Sequence, residues 1–251
     1  MLRDRFPIFE AKTFLNSCSK GALSLEVKAA YAEYLQDWET LGSPWGSWVE
    51  KLEQTRESFA RLVGADPDEI AVTTSVSAAV SALASALDFS GTRNRVLVSD
   101  FEFPTVAQVW HIMKLDSHGH EPAGSARRFE SGTPAVPNLY AGLAGLDIVH
   151  ALGVERIHAH LETLTDAIKT GARERGYRLA TAGAHGAMVA LSAERVEELV
   201  ARLEHDDIIV SSRDGNLRVS PHFYNDPEDI ERLFGALETH EELLKLERAF
   251  A

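Results

Sequence analysis

Ile70-Ala-Val-Thr-Thr-Ser75-Val-Ser77 leads from a short apolar run into an Ala-rich stretch that reads as helix to about Leu87. Arg95-Val-Leu-Val-Ser99 then reads as a second strand, and Phe103 to Leu115 as the start of another helix. Strand, helix and strand in that order predict a parallel, right-handed unit and an α/β class. Two strands make a poor parallel sheet, because such sheets need neighbours and cover on both faces.

Upstream, residues 11–23 read as an extended or looped entry. A helix follows from Ser24, with Val27, Ala30, Tyr31, Tyr34, Leu35 and Trp38 at helical spacing and Gly42 as its stop. A second helix from about Ser47 carries Val49, Leu52, Phe59 and Leu62 on one face and stops at Gly64, before a turn at Asp66-Pro-Asp-Glu69. Downstream, small and breaker residues dominate 116–126, which reads as a linker. Helices are then predicted from Pro137 to near Gly153 and from Val154 to Arg175. Tyr177–Thr181, Ala187–Leu191, Ile208–Ser212 and Leu217–Ser220 read as strands. A helix capped by Ser192 lies between the second and third of these. The last helix has Asp226 as N-cap and Pro227 at its first position. The expected organisation is a reduced α/β part over 1–115, a linker over 116–126, and an α+β domain over 127–251.

The 251 residues are ample for a core, and 45% hydrophobic with 25% charged is an ordinary globular composition. A net charge of −13 argues against nucleic acid or an anionic membrane as main partner, since phosphate backbones are gripped by clustered Lys and Arg. One cysteine, Cys18, forms no internal disulfide, which suits a reducing cytoplasm. No run is apolar enough to span a bilayer, and Met1 to Pro7 lacks a signal-peptide core, so a cytoplasmic protein is expected.

Four features can carry chemistry. Thr73-Thr-Ser75-Val-Ser77 stands where a strand turns into a helix, a place that favours anions such as phosphate; the plain alternative is that Ser75 or Ser77 caps the helix. Phe103, in Asp-Phe-Glu-Phe-Pro104 after a strand, can stack on a planar cofactor or pack in a core. Gly132-Thr133-Pro134 makes a tight turn with a hydroxyl. Arg218 lies in a strand pattern, suited to a bidentate grip on a carboxylate; the alternative is an edge-strand Arg facing water. His111, Asp116, His118 and His120 cluster near the linker, but solvated His is common in such segments and no metal site is assigned. No P-loop, Gly-x-Gly-x-x-Gly or Gly-x-Ser-x-Gly is present.

Taken together and in order, these stretches resemble the class V aminotransferase group of pyridoxal-phosphate (PLP) enzymes. That group includes cysteine desulfurases and isopenicillin epimerase-like proteins. The resemblance covers roughly 10–112 and 127–240. It implies a PLP fold type I chain with a reduced large domain and an intact C-terminal α+β domain. It implies that Ser75, Val76 and Ser77 take the cofactor phosphate and that Phe103 takes the place of the ring stacked on the pyridine. By the same resemblance Phe129-Glu-Ser-Gly132-Thr133-Pro134 reaches the cofactor phosphate of the partner in a dimer. Arg218 matches the arginine that binds the substrate α-carboxylate, and Asn16 to Gly21 the N-terminal substrate loop, with Asn16 a substrate-binding residue.

The chain departs from the family's pattern where covalent work is done. In the family a long block of strands carries the Schiff-base lysine and the pyridinium aspartate; here Val106 to Arg128 fills its place. The lysines are Lys12, Lys20, Lys28, Lys51, Lys114, Lys169 and Lys245, and none follows an apolar strand in the family's context. Ile208 to Arg218 holds no cysteine, which turns the resemblance away from desulfurases toward the aminotransferase- or epimerase-like branch. The expectation is a protein derived from amino-acid-acting PLP enzymes, without the usual Schiff base, holding PLP weakly, non-covalently or not at all. The expected partners are an amino-acid-like carboxylate and a second subunit, either a copy or a full-length relative. The alternatives are a non-catalytic dimerising or binding protein, an aberrant deletion form, and an active aminotransferase or lyase with a non-standard lysine.

Overall fold

The computed structural model describes residues 2–92, 94–99, 102, 106, 109, 124–130 and 134–247. These group into two compact units, Met1–Ala29 with Ile148–Ala251, and Ala30–Asp147. The divisions fall elsewhere than at 115 and 127, because the N-terminal segment pairs with the C-terminal strands.

In the first unit, β1 (Thr13–Phe14) pairs in parallel with β3 (Ile208–Ile209), Thr13 opposite Ile208. Beside them, β2 (Val189–Ser192), β5 (Asn216–Val219) and β4 (Ser211–Arg213) form an antiparallel sheet in the order β2-β5-β4. Alternation along β5 buries Leu217 and Val219 and turns Asn216 and Arg218 to the other face. Three helices complete the unit: α5 (Val154–Glu174), α6 (Val196–His205) and α7 (Pro227–Thr239). Leu164 and Ile168 of α5 pack with Leu233 and Leu237 of α7 and with Leu191, Leu199 and Leu217 in one core.

The predicted helix stops hold. Gly153 and Gly176 adopt positive φ of 84° and 69°, the region that favours glycine. Asp226 caps α7 through a reciprocal pair, its side chain accepting from Asp229 N and the Asp229 carboxylate from Asp226 N. Two expectations are corrected. Ser192 ends β2 and bonds to Asn216 Oδ1 at 3.1 Å, and α6 starts after Arg195, which makes no side-chain cap. Tyr177–Thr181 forms isolated bridges, Tyr177 to Leu246 and Leu179 to Leu191, rather than a full strand.

The second unit holds α1 (Leu25–Leu41) from Ala30 onward, α2 (Trp45–Val63), α3 (Val76–Ser85) and the first part of α4 (Val136–Leu152). Its core is small: Ala30, Trp48, Val136 and Tyr140, with Tyr34 and Ala144 against them. Burial raises the Tyr140 hydroxyl's pKa, and its 2.6 Å bond to Asp37 adds to the rise. Here the sequence-based faces need correction. Leu35, Trp38, Val49 and Phe59 are exposed, while α2 buries Trp48 and Arg56. The predicted strands 70–74 and 95–99 form no ladder among the described residues, and Leu97 is 97% exposed. A parallel strand without a neighbour has nothing to bond its backbone. The helix predicted from Phe103 to Leu115 lies largely outside the described residues.

Two outcomes are expected. A Cβ at Gly171 of α5 would stand 2.5 Å from the Phe234 ring, so Gly171→Ala should cost about 1–3 kcal/mol in denaturant unfolding. The second concerns Asp229, fully buried and gripped by Arg3 at 2.7 and 2.8 Å and by Asn225 at 2.9 Å. Burial pushes its carboxyl up, but the bonds from Arg3 and Asn225 and the Arg3 charge outweigh this and hold it below the ordinary range. A depressed carboxylate stabilises fully above its unfolded pKa, near 4, and loses that contribution as pH falls through the lower folded value. Asp229→Asn should therefore flatten the acid limb of a stability–pH curve, measured by denaturant unfolding.

Candidate functional site

Each unit holds candidate residues of its own, described in turn. In the second unit, Ser75 stands in extended conformation as the N-cap of α3, its Oγ accepting from Ala78 N at 3.1 Å. Thr73 Oγ1 donates to Ser75 O at 3.2 Å. The capping role weighed for Ser75 is thus realised, and it places Val76 and Ser77 in the first turn of α3. There the dipole and the first N–H groups of the helix favour an anion.

The corner is braced by a pair that no sequence pattern announced. Arg56, 1% exposed, reaches Glu130 with two nitrogens, Nη1 to Oε1 at 2.6 Å and Nη2 to Oε2 at 3.1 Å. Its Nε reaches Glu53 at 3.2 Å, and Nη1 also bonds Ile70 O. Glu130 Oε1 in turn accepts from Val72 N at 2.8 Å. One carboxylate therefore ties residues 70–72 and the Phe129-Glu130 segment to α2. The cavity beside it, about 170 Å³, is lined by Thr55, Thr73, Thr74, Glu130, Pro134 and Asn138 among others, and among the described residues by no lysine. Phe103, Gly132 and Thr133 lie outside the described residues, as do Lys114, His111, Asp116, His118 and His120.

In the first unit Arg218 stands on the central strand β5, opposite Ala190 of β2 and Ser211 of β4, and not on an edge. Its Nη2 donates to Ser19 Oγ at 3.3 Å, and its Nε is buried with no hydrogen-bond partner among the described residues. Asn16 bridges to Ser220, two residues along from Arg218. Its carbonyl accepts from Ser19 N at 3.1 Å and Lys20 N at 3.3 Å, which curls the loop. Cys18 Sγ lies 3.7 Å from Asn16 Oδ1 and 3.8 Å from Ser211 Oγ. Asn16 and Arg218 are thus brought together, with Ser19 between them. His222 follows, its imidazole pKa lowered by burial and its Nδ1 without a partner among the described residues.

A PLP cofactor asks for a phosphate grip and a lysine. The α3 corner suits the phosphate. The lysine test fails among the described residues: Lys12, Lys51 and Lys169 are paired with Asp207, Glu33 and Asp166, and neither these nor Lys20, Lys28 or Lys245 lines the cavity. The described residues thus offer a phosphate corner but no lysine at this cavity. Among the described residues no group of three or more His, Cys, Asp or Glu can hold a metal, and no helix is long and apolar enough to cross a membrane.

Comparison with known proteins bears on the fold. Residues 111–233 match the family model described as "Aminotransferase class-V". The chain is 26% identical over 350 residues to "Uncharacterized aminotransferase YcbU" of Bacillus subtilis (strain 168), covering 91% of this chain and 94% of that one. An alignment of 350 positions against a chain of 251 residues leaves at least 99 positions with no residue of this chain. The cystine C-S lyase C-DES in complex with cysteine persulfide superposes with a TM-score of 0.81 at 15% identity, over 92% of this chain and 98% of that one. A C-DES mutant with glycine covalently linked to its PLP cofactor gives 0.78 at 14%, over 94% and 98%. At such identity the likeness shows the fold, PLP fold type I.

The described tryptophans Trp38, Trp45 and Trp48 all lie in the second unit, so their fluorescence reports it. Glu130→Gln should lower its stability by about 2–4 kcal/mol by stranding the buried Arg56 charge. The double change Arg56→Met with Glu130→Leu should recover most of that loss.

Proposed function

From a chain that is class V aminotransferase-like over 111–233 and PLP fold type I in topology, we propose a protein that grips an amino-acid carboxylate at Arg218 and a PLP-type phosphate at Ser75, Val76 and Ser77, without the usual Schiff base. The observation that carries this is Arg218. A guanidinium fixed on a central strand, opposed by one serine hydroxyl and with a buried Nε lacking a partner, is prepared for a carboxylate. When bound, PLP supplies an electron sink for amino-acid chemistry. The chain's own groups orient: the α3 corner holds phosphate, Arg218 and Asn16 hold the carboxylate end, and Phe103, Gly132 and Thr133 are assigned to the cofactor by the resemblance. With one cysteine in the whole chain, such a protein suits the cytoplasm.

The test is PLP titration followed by absorbance, borohydride trapping and peptide mass spectrometry. No lysine should be labelled stoichiometrically. One lysine labelled to completion, whose Ala variant abolishes turnover of an amino acid, would sink the proposal and favour an enzyme with a non-standard lysine. Calorimetry with L-alanine should show binding that Arg218→Lys weakens about tenfold and Arg218→Gln about thirtyfold or more, as loss of a charge-assisted pair demands.

A second reading is a non-catalytic subunit that pairs with a copy or a full-length relative. It is favoured by the exposed apolar residues of the second unit, among them Leu35, Trp38, Leu41, Trp45 and Leu97. Light scattering alone and with such a relative decides it, and a strictly monomeric mass in both would reject it.

A further inference from the structure

We infer that Tyr224 is a positioning residue for the carboxylate end: its hydroxyl straps the Asn16–Ala22 loop in place, and the strap presents Ser19 to Arg218. The inference rests on Arg218 as the carboxylate group, as proposed above. Tyr224 is buried, its ring held against Phe6 and Phe9 with centroids 4.7 and 5.3 Å away. From that fixed ring the hydroxyl meets the loop twice, at Ser17 Oγ (2.7 Å) and at Ala22 N (3.0 Å). The amide can only donate, so the phenol oxygen accepts from Ala22 and its own proton is free to go to Ser17. Burial raises the Tyr224 pKa, which keeps that proton in place at neutral pH.

Between the two fastened points the loop curls on itself, Ser19 N and Lys20 N donating to the Asn16 carbonyl. Ser17 N donates to Ser220 O at 3.1 Å on the near side, and Cys18, Ser19 and Lys20 are exposed at the tip. The Arg218–Ser19 bond, at 3.3 Å, is long for a charged donor. Ser19 thus occupies one direction of the guanidinium that a carboxylate oxygen would take with a stronger bond. A loop fastened at Ser17 and Ala22 can give up Ser19 without losing its path. Without the hydroxyl, the segment keeps the Ser17 anchor and its curl on Asn16 but loses its hold at Ala22, and must be reordered when the ligand binds.

The chain's lone cysteine sits on this tip and reads out loop order directly. The full-length protein is treated with a thiol-reactive disulfide reagent, without ligand, as wild type, Tyr224→Phe and Ser17→Ala. Phenylalanine keeps the ring packing and removes only the hydroxyl. Cys18 should react about fivefold faster in Tyr224→Phe, the factor expected for losing a hydrogen bond that holds a local structure closed, with an intermediate rise in Ser17→Ala. The melting temperature should stay within a few degrees of wild type, which separates a loosened loop from a loosened fold. L-Alanine binding should weaken several-fold in Tyr224→Phe but be lost in Arg218→Gln, whose ligand-free Cys18 rate should stay near wild type. If Tyr224→Phe fails to fold, Ser17→Ala decides alone, because it lies outside the aromatic cluster. Wild-type Cys18 rates in the folded variants would overturn the strap. Failure of the wild type to bind L-alanine would instead overturn the Arg218 reading, while the ligand-free rates still decide what Tyr224 does.

Discussion

The first unit depends on a pairing made across nearly the whole chain. Thr13 N and Leu15 N bond to Asp207 and Ile209 carbonyls, and Ser220 N to Leu15 O, all within 2.9 Å. Closing so long a loop costs entropy that two strand residues alone do not offset. The pairing is locked by a buried polar chain. Asn225 Nδ2 donates to Phe14 O and to Asp229, and Asp229 also holds Arg3 and completes the α7 cap. One buried carboxylate thereby joins the N-terminal segment to the last helix. Everything at Arg218 follows, because this pairing lays the Asn16 loop along β5.

The second unit rests on different terms. Its apolar core is a handful of residues, and its internal order leans on charge: Arg56 with Glu53 and Glu130, Lys51 with Glu33, Tyr140 with Asp37. Such pairs are exacting. A buried pair barely outweighs its desolvation when complete and is costly when broken. Leu35, Trp38 and Leu41 of α1 and Trp45, Val49 and Phe59 of α2 are exposed, as is Leu97. Specific orientation of residues 70–72 is what this arrangement provides, and the corner that leads into α3 begins one residue further on.

Local signals were the legible part of the sequence. Gly42, Gly64, Gly153 and Gly176 stop helices because they alone take positive φ without strain, and Asp226-Pro227 starts one because cap and proline act within a single turn. Arg218 and Asn16 were legible as types in a pattern, and β5 proved central instead of an edge. What stayed hidden was non-local. Whether Val96 to Val98 becomes a strand is set by neighbours that propensity does not see, and here it meets none among the described residues. Arg56 and Glu130 are 74 positions apart, and Tyr224 lies 207 from Ser17. A charged residue mid-helix and a tyrosine after a strand carry no mark of such partners.

Gripping and covalent chemistry differ in how much structure each needs. Arg218 is fixed by two strand pairings and Ser75 by its own helix, so each side chain is placed by the element that carries it. A Schiff-base lysine is one flexible side chain whose value depends on a cofactor placed against it from elsewhere. At least 99 positions of the alignment with the Bacillus subtilis relative hold no residue of this chain, and a group that depends on several elements is more sensitive to such gaps than one carried by a single element. On the proposed reading, a grip on carboxylate or phosphate is a property of single elements, whereas turnover requires several elements in register.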